Sequence, residues 1–368
     1  MSFHISFTNF VTTSSLQAIV FEIVASIHFF RYVKYISDQA VRRCQDGVGN
    51  KTTSGYSWRT MQVDLQQKPK TYAVLNPVAG VSDPEMVRQS IQSAFQAHDI
   101  PLEIYETTPN EDLREHVREA VQRGFKLFIS AGGDGTLSTV IDGLIRTEIP
   151  LVIIPTGTWN ALARALDIPL QVGPAIDLLF RPHQIRTIDA MEVDRDYFVL
   201  SVSAGIGALT MKDVERKDKR RLGKVADLRK ALAEMLEFRT FQFEVKIDGA
   251  LTTKFRASEL LVANTSILGL KALRLDPSIR MDDGKLNVCR IYANTVTDYV
   301  KLGLSMLRGK QERSWNVLCV EALQEVEIRS PERIPVQGDG ELIGHLPVTV
   351  KFHPKAIQVV TPPHVEPV

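Results

Sequence analysis

Between Thr71 and Leu166, short apolar runs suited to strands alternate with runs whose apolar residues recur at helical spacing, joined by short connections. TYAVLN (71–76) alternates into a turn at Asn76-Pro77. EMVRQSIQSAFQAHD (85–99) and EDLREHVREAVQRG (111–124, closed by Gly124) carry helical periodicity, with PLEIYET (101–107) a strand between them. FKLFIS (125–130), LSTVIDGLI, LVIIPT (151–156) and WNALARAL (159–166) continue the order strand, helix, strand, helix. Consecutive strands separated by helices cannot pair as hairpins, so this order predicts a parallel sheet with helices on both faces.

After about Asp189 the rhythm changes. YFVLSVSAG, FQFEVKIDG, KFRASELLVAN, GKLNVCRIYA, VEALQEVEIRS and LPVTVKFHP are strand-like runs parted by turns, with helical patterning only after Leu222 and over Thr297–Leu307. The expected fold class is α/β with two domains: an N-terminal parallel-sheet α/β domain over 70–190, and a C-terminal antiparallel β-sandwich with a short tail over 191–368. Residues 1–69 form an extension outside this core. Within it Leu16–Phe30 is mostly apolar but short for a membrane span, interrupted by Glu22 and His28 and followed by Arg31, Lys34, Arg42 and Arg43. An uncoupled extension, an interfacial helix and a span all stay open.

A net charge of +1 gives no electrostatic reason to bind nucleic acid. Cys44, Cys289 and Cys319 are far apart and show no CxxC spacing. They are expected to be unpaired thiols of a reducing, cytoplasmic setting, with neither a disulfide framework nor a zinc site.

Ser130 ends a strand, and Ala131-Gly132-Gly133-Asp134-Gly135-Thr136 leads into a helix. Unpaired backbone N–H groups and a positive helix end then point to one place, which attracts phosphate. Neither nucleotide fingerprint fits: GxxxxGK[ST] is absent, and Ser138 stands where GxGxxG needs its third glycine. Two further loops join strand to helix in the same half: Asn76-Pro77-Val78-Ala79-Gly80 and Pro155-Thr156-Gly157-Thr158-Trp159-Asn160. In a parallel sheet all of them reach the carboxyl edge, where ligands bind, so together they predict a nucleotide site. Thr136, Thr158 and Asn160 offer neutral hydrogen bonds, Thr107 lines the same cleft, and Arg164 is the nearest positive charge. Asp134 is expected to serve a water–Mg²⁺ network or to fix the loop.

NPVAG, GGDGT and PTGTWNALARAL, in that order, resemble the diacylglycerol kinase-type lipid kinases, a family of diacylglycerol, sphingosine and bacterial lipid kinases. Its usual forms are NPxSG, GGDGT and PxGTxND, and the resemblance covers roughly residues 70–362. It implies an NAD kinase/phosphofructokinase-like nucleotide-binding domain followed by a β-sandwich that receives the lipid. It also implies ATP and Mg²⁺, with Asn76, Pro77, Ala79, Gly80, Thr107, Gly132, Gly133, Asp134, Gly135, Thr136, Thr158 and Asn160 around the nucleotide. Met281–Leu286 (MDDGKL) resembles the family's DDGxL element, which implies a structural Mg²⁺ on Asp283 and the carbonyls of Arg280 and Lys285; a plain DG turn would read identically. Asp339-Gly340-Glu341 resembles the catalytic DGE, which implies Asp339 as general base with Glu341 orienting or assisting it; a second plain DG turn is the alternative.

The sequence departs from the pattern at Ala79 (usually serine), Val81 (often lysine) and Ala161 (usually aspartate). Lys212–Lys230 carries nine basic and four acidic residues and leads into an apolar stripe at Leu222, Val225, Leu228, Leu232 and Met235. That layout suits peripheral contact with an anionic membrane, or a solvated surface helix. The expected function is an ATP- and Mg²⁺-dependent kinase of lipid metabolism, phosphorylating a hydroxyl of a membrane lipid from the cytoplasmic side. The alternatives are an NAD kinase and a catalytically silent lipid- or nucleotide-binding regulator. No motif names the lipid, and a homodimer is left open.

Overall fold

The computed structural model describes residues 61–363, apart from 81, 110, 210–238, 251, 268–274, 277, 296–297 and 299–315. The apolar run at 16–30, Val81, the basic stretch at 212–230 with its apolar stripe, and the helix expected over 297–307 (Asp298 apart) lie outside the described residues.

The N-terminal half follows the expected order: β1 (Thr71–Leu75), α1 (Pro84–Ala97), β2 (Leu102–Glu106), α2 (Leu113–Gln122), β3 (Leu127–Gly132), α3 (Asp134–Leu144), β4 (Pro150–Pro155) and α4 (Ala161–Ala165). The four strands are parallel in the order β2-β1-β3-β4. Every residue of β1 and β3 is buried, as a sheet covered on both faces requires. Local chemistry sets the helix starts. Asp83 accepts from the Glu85 N–H with Pro84 in the first turn, and Asp112 accepts from the N–H groups of Arg114 and Glu115. An additional helix, α5 (Val172–Phe180), follows. Pro174 falls in its first turn, where a proline gives up no hydrogen bond.

The C-terminal half comprises β5 (Gln184–Val193), β6 (Asp196–Phe198), β7 (Ser201–Gly205), β8 (Phe241–Ile247), β9 (Thr253–Ala257), β10 (Glu259–Ala263), β11 (Leu286–Ile291), β12 (Val317–Ala322), β13 (Glu325–Arg329), β14 (Pro335–Gly338), β15 (Glu341–His345) and β16 (Val348–Thr361). An antiparallel sheet, β12-β11-β10-β7-β14-β15, forms one layer. Its inner residues Val202, Leu260, Val262, Val288 and Val336 pack with Phe243, Val245, Val326 and Val350 of the other layer.

That other layer is continuous with the parallel sheet. β16 runs parallel to β4 (Gln358↔Pro150, Val359↔Leu151) and antiparallel to β5 and β13, giving the order β2-β1-β3-β4-β16-β13-β8-β9. β5 itself runs through the expected boundary at residue 190. The halves therefore share a sheet, and the last strand of the chain ties them together.

The cysteines correct an expectation. Cys289 and Cys319 face each other across β11 and β12 and form a disulfide with an S–S distance of 2.05 Å. Strand register brings them together across a separation of 30 residues, which spacing in the sequence does not disclose.

Candidate active site

The glycine-bearing loops meet at the carboxyl edge of the parallel sheet, and their glycines explain how closely. Gly80 has φ +73°, and a Cβ there would fall 1.5 Å from the Thr156 carbonyl oxygen. A Cβ on Gly157 would lie 2.5 Å from Gly133 Cα. Backbone therefore packs on backbone from NPVAG to PTGTWN to GGDGT, a contact that side chains would block. Asn76 stitches the same edge: its Nδ2 donates to Thr136 Oγ1 at 2.8 Å, while its Oδ1 accepts from the Val78 N–H at 3.1 Å. Pro77 and Ala79 lie in this loop, and Thr107 follows β2 beside it, its N–H donating to the Leu75 carbonyl at 2.9 Å.

Helix starts are capped unevenly here. α3 begins after Gly133 with no side-chain cap, so the N–H groups of its first turn point into the cleft without a side-chain acceptor. α4 begins differently: Asp134 Oδ1 accepts from the Ala161 N–H at 2.7 Å. The acidic residue inside the glycine loop thus spends one carboxylate oxygen on capping the neighbouring helix. This also gives position 161 a backbone role that alanine performs as well as aspartate.

Asn160, with φ 46°, spends its side chain on its own loop, accepting from the Gly157 N–H at 3.0 Å and donating to the Gly157 carbonyl at 2.7 Å. Arg164 Nε donates to the Trp159 carbonyl at 2.7 Å. Both hold the loop in shape, while Thr158 stays exposed at its tip. Ser130, inside β3, and Thr156, just after β4, bury hydroxyl oxygens without a protein partner. Thr156 lies inside the motif that marked the loop but was not singled out from the sequence.

The DGE segment reaches this edge from the other half. A Cβ on Gly135 would lie 3.0 Å from Glu341 Oε1, so the exposed Glu341 carboxylate stands directly over the glycine loop. Asp339, with φ 49°, is held firmly: Oδ2 accepts from the Val199 N–H at 2.8 Å, and Oδ1 from the Leu200 and Ser201 N–H groups at 2.9 Å each. These backbone donors are invisible to a reading of side-chain chemistry. Burial, reinforced by the nearby Asp134 charge, pushes the Asp339 carboxyl up to about 6 against the pull of its three N–H donors.

The same clasp recurs far away in the sequence. Asp248, also at φ 49° and followed by a positive-φ glycine, accepts from the Leu323 N–H through Oδ2 at 2.8 Å. Its Oδ1 accepts from the Gln324 and Glu325 N–H groups at 2.8 and 3.0 Å. A DG turn that clasps three consecutive N–H groups is thus a structural unit of this fold. What distinguishes Asp339 is its address near Asp134 of the glycine loop, two residues before the Glu341 that stands over Gly135.

The DDG segment forms a separate cluster. Asp189, buried on β5, accepts from the Gly284 N–H at 2.9 Å and the Lys355 N–H at 2.7 Å, and burial raises its carboxyl. Burial also pulls Asp282 upward, but Arg186 at 2.8 Å and Arg280 at 3.1 Å outweigh it and hold that carboxyl low. Asp283 has the backbone N–H and the charge of Lys285 beside it, but its Oδ1 is buried without a partner. Burial, with Asp189 and Asp282 adding to it, pushes its carboxyl up to about 6. Lys285 extends its side chain to Glu321 Oε1 at 2.5 Å, and Arg280 directs its own to Asp282. Among the described residues no group of three or more His, Cys, Asp or Glu is arranged around a metal position. An orphaned carboxylate oxygen still suits a hard divalent cation completed by carbonyls and water.

Comparison with known proteins agrees with this architecture. Residues 70–193 match the family model described as diacylglycerol kinase catalytic domain, and residues 200–361 match the YegS C-terminal NAD kinase beta sandwich-like domain. An uncharacterized Synechocystis protein is 30% identical over 322 residues, covering 82% of this chain and 72% of that protein. A diacylglycerol kinase of Bacillus subtilis is 27% identical over 292 residues, covering 78% of this chain and 95% of that enzyme. In fold, the crystal structure of a putative diacylglycerol kinase from Bacillus anthracis superposes with a TM-score of 0.65 at 24% identity, covering 80% of this chain and 98% of that one.

Proposed function

The chain belongs to the diacylglycerol kinase catalytic-domain family of lipid kinases, and on that premise we propose that it transfers the γ-phosphate of Mg-ATP to a hydroxyl of a membrane lipid, with Asp339 as general base. The observation that carries this reading is the meeting of Glu341 and Asp339 with the uncapped start of α3. The lipid is a diacylglycerol, a sphingoid base or a related amphiphile.

The N–H groups of the first turn of α3, with the NPVAG and PTGTWN loops packed against them, bind the nucleotide's phosphates without a lysine. Three of the roughly four lone-pair positions on the Asp339 carboxylate are taken by backbone donors. The one left on Oδ2 accepts the proton of the lipid hydroxyl. As the lipid's hydroxyl oxygen bonds to the γ-phosphorus, the bond from that phosphorus to the β–γ bridging oxygen breaks and ADP leaves. Glu341 fixes the acceptor over Gly135. Asp283, with the carbonyls of Arg280 and Lys285, would hold a structural Mg²⁺, and Mg²⁺ brought with ATP would neutralise the charge that develops on the phosphates. No helix among the described residues is long and apolar enough to cross a membrane. Peripheral contact with an anionic bilayer rests instead on the basic sequence of residues 212–230.

Purified protein given γ-labelled ATP, Mg²⁺, NAD and mixed micelles of several lipids tests this reading. Label is expected in a lipid phosphomonoester. Label in a phosphorylated NAD would select the NAD kinase alternative, and nucleotide binding without any labelled product would select the silent regulator.

A further inference from the structure

Between the glycine loop and Asp339 lies a six-residue segment, Asp196–Ser201, pinned at both ends. At its far end the N–H groups of Val199, Leu200 and Ser201 clasp the Asp339 carboxylate. At its near end the Tyr197 N–H donates to Asp142 Oδ1 at 3.0 Å. Asp142 sits on α3, two turns beyond the uncapped start that faces the nucleotide, and is only 4% exposed. Arg114 of α2 completes the joint, with Nη2 at 2.5 Å from Asp142 Oδ2 and 2.8 Å from Asp196 Oδ1. Asn264 steadies the middle, its Nδ2 donating to the carbonyls of Val199 and Asp189 at 2.8 and 2.9 Å.

One helix therefore presents phosphate-facing N–H groups at its start and, through Asp142, grips the strand whose continuation holds the base. We propose that Arg114 and Asp142 are positioning residues for phosphoryl transfer, setting the distance between the nucleotide's phosphates and the Asp339 carboxylate. This rests on the assignment of Asp339 as base. The pair touches neither nucleotide nor acceptor and acts only through the 196–201 segment. A buried ion pair alone is weak evidence for stability, whereas fixing a geometry is a use that such a pair serves. The groups facing Asp142 are Arg114 and Arg118 from α2, and Asp196 and the Tyr197 N–H from β6. Burial pushes the Asp142 carboxyl up to about 6, and Arg114 holds it from going higher.

The test uses the full chain in the lipid phosphorylation assay, with Asp142→Ala, Asp142→Asn and Arg114→Met. Asp142→Ala is expected to lower kcat by ~10- to 100-fold, the scale of an ångström-sized misplacement, with the KM for ATP within about twofold of wild type. Asp142→Asn keeps an oxygen for the Tyr197 N–H and is expected to recover most of that loss at pH 7.5. Arg114→Met removes the contacts that tie Asp142 of α3 to Asp196 of the segment, so kcat should fall by ~10-fold or more with the KM for ATP within about twofold of wild type. The proposal is overturned if the Asp142 variants lower thermal stability while kcat of the folded protein stays at wild type. Equal kcat losses in Asp142→Ala and Asp142→Asn, or an unchanged kcat in Arg114→Met, would overturn it as well; Arg114→Met decides the matter if Asp142→Ala does not fold. Asp339→Asn separates the two readings. Undiminished turnover there removes the base, whereas unchanged kinetics in the Asp142 and Arg114 variants removes only the positioning role.

Discussion

Asp339 and Asp248 make the same contacts, so replacing each by asparagine separates structural support from chemistry. In both, Oδ1 accepts two N–H groups and Oδ2 accepts one. An asparagine retains its oxygen on the side with two donors and turns an NH₂ toward the third. One backbone N–H is then stranded against another donor, at a cost of about 1–3 kcal/mol. Because the geometry matches, the loss should match, a fall in Tm of roughly 2–4 °C for each kcal/mol in a protein of this size class. The effect on turnover should not match. Asp339→Asn removes the proton acceptor and should lower kcat by ~10²-fold or more, while Asp248→Asn should leave it within about twofold. Thermal unfolding and γ-phosphate transfer, run on both variants, give the comparison. Equal falls in turnover would mean that Asp339 matters only as a clasp, and the catalytic assignment would be wrong.

Three further outcomes follow from the same geometry. Gly80→Ala places a methyl 1.5 Å from the Thr156 carbonyl at a positive φ; the NPVAG loop must withdraw, and the KM for ATP should rise by at least ~10-fold, about 1.4 kcal/mol, read by nucleotide titration. Asp339 must be ionised to accept a proton and its carboxyl lies at about 6, so kcat should be level above pH 7 and fall below pH 6. Mg²⁺ must displace a proton from Asp283, whose carboxyl also lies at about 6. The Mg²⁺-dependent rise in Tm should therefore grow from pH 5 to pH 7.5, and vanish in Asp283→Asn.

The parallel half was legible because β1, β3 and β4 each run into a glycine-bearing loop and each helix announces its period; β1 to α4 stand within a few residues of where the patterns put them. The C-terminal half was legible as strands but not as topology. YFVLSVSAG splits at Val199-Leu200, where the chain turns to clasp Asp339, and KFRASELLVAN splits at Ser258, whose hydroxyl donates to the Ile291 carbonyl. Neither break carries glycine or proline, because a distant partner imposes it. The same holds for β16, whose pairing with β4 depends on register across some two hundred residues. In the candidate site, motifs located the loops and the DGE segment. What they missed acts through backbone N–H groups or through long-range pairs: the 199–201 clasp, the Ala161 N–H on Asp134, and Arg114 with Asp142. The disulfide escaped for the same reason.

The central claim is that this chain phosphorylates a lipid hydroxyl from ATP through Asp339. Its most direct test is steady-state transfer of γ-label from Mg-ATP into mixed micelles of diacylglycerol, sphingosine or phosphatidylglycerol, comparing wild type with Asp339→Asn at equal nucleotide occupancy. The expected result is a labelled lipid phosphomonoester from the wild type, with kcat lower by ~10²-fold or more in the variant. Label transferred equally well by both proteins, or reaching no lipid at all, would contradict the account.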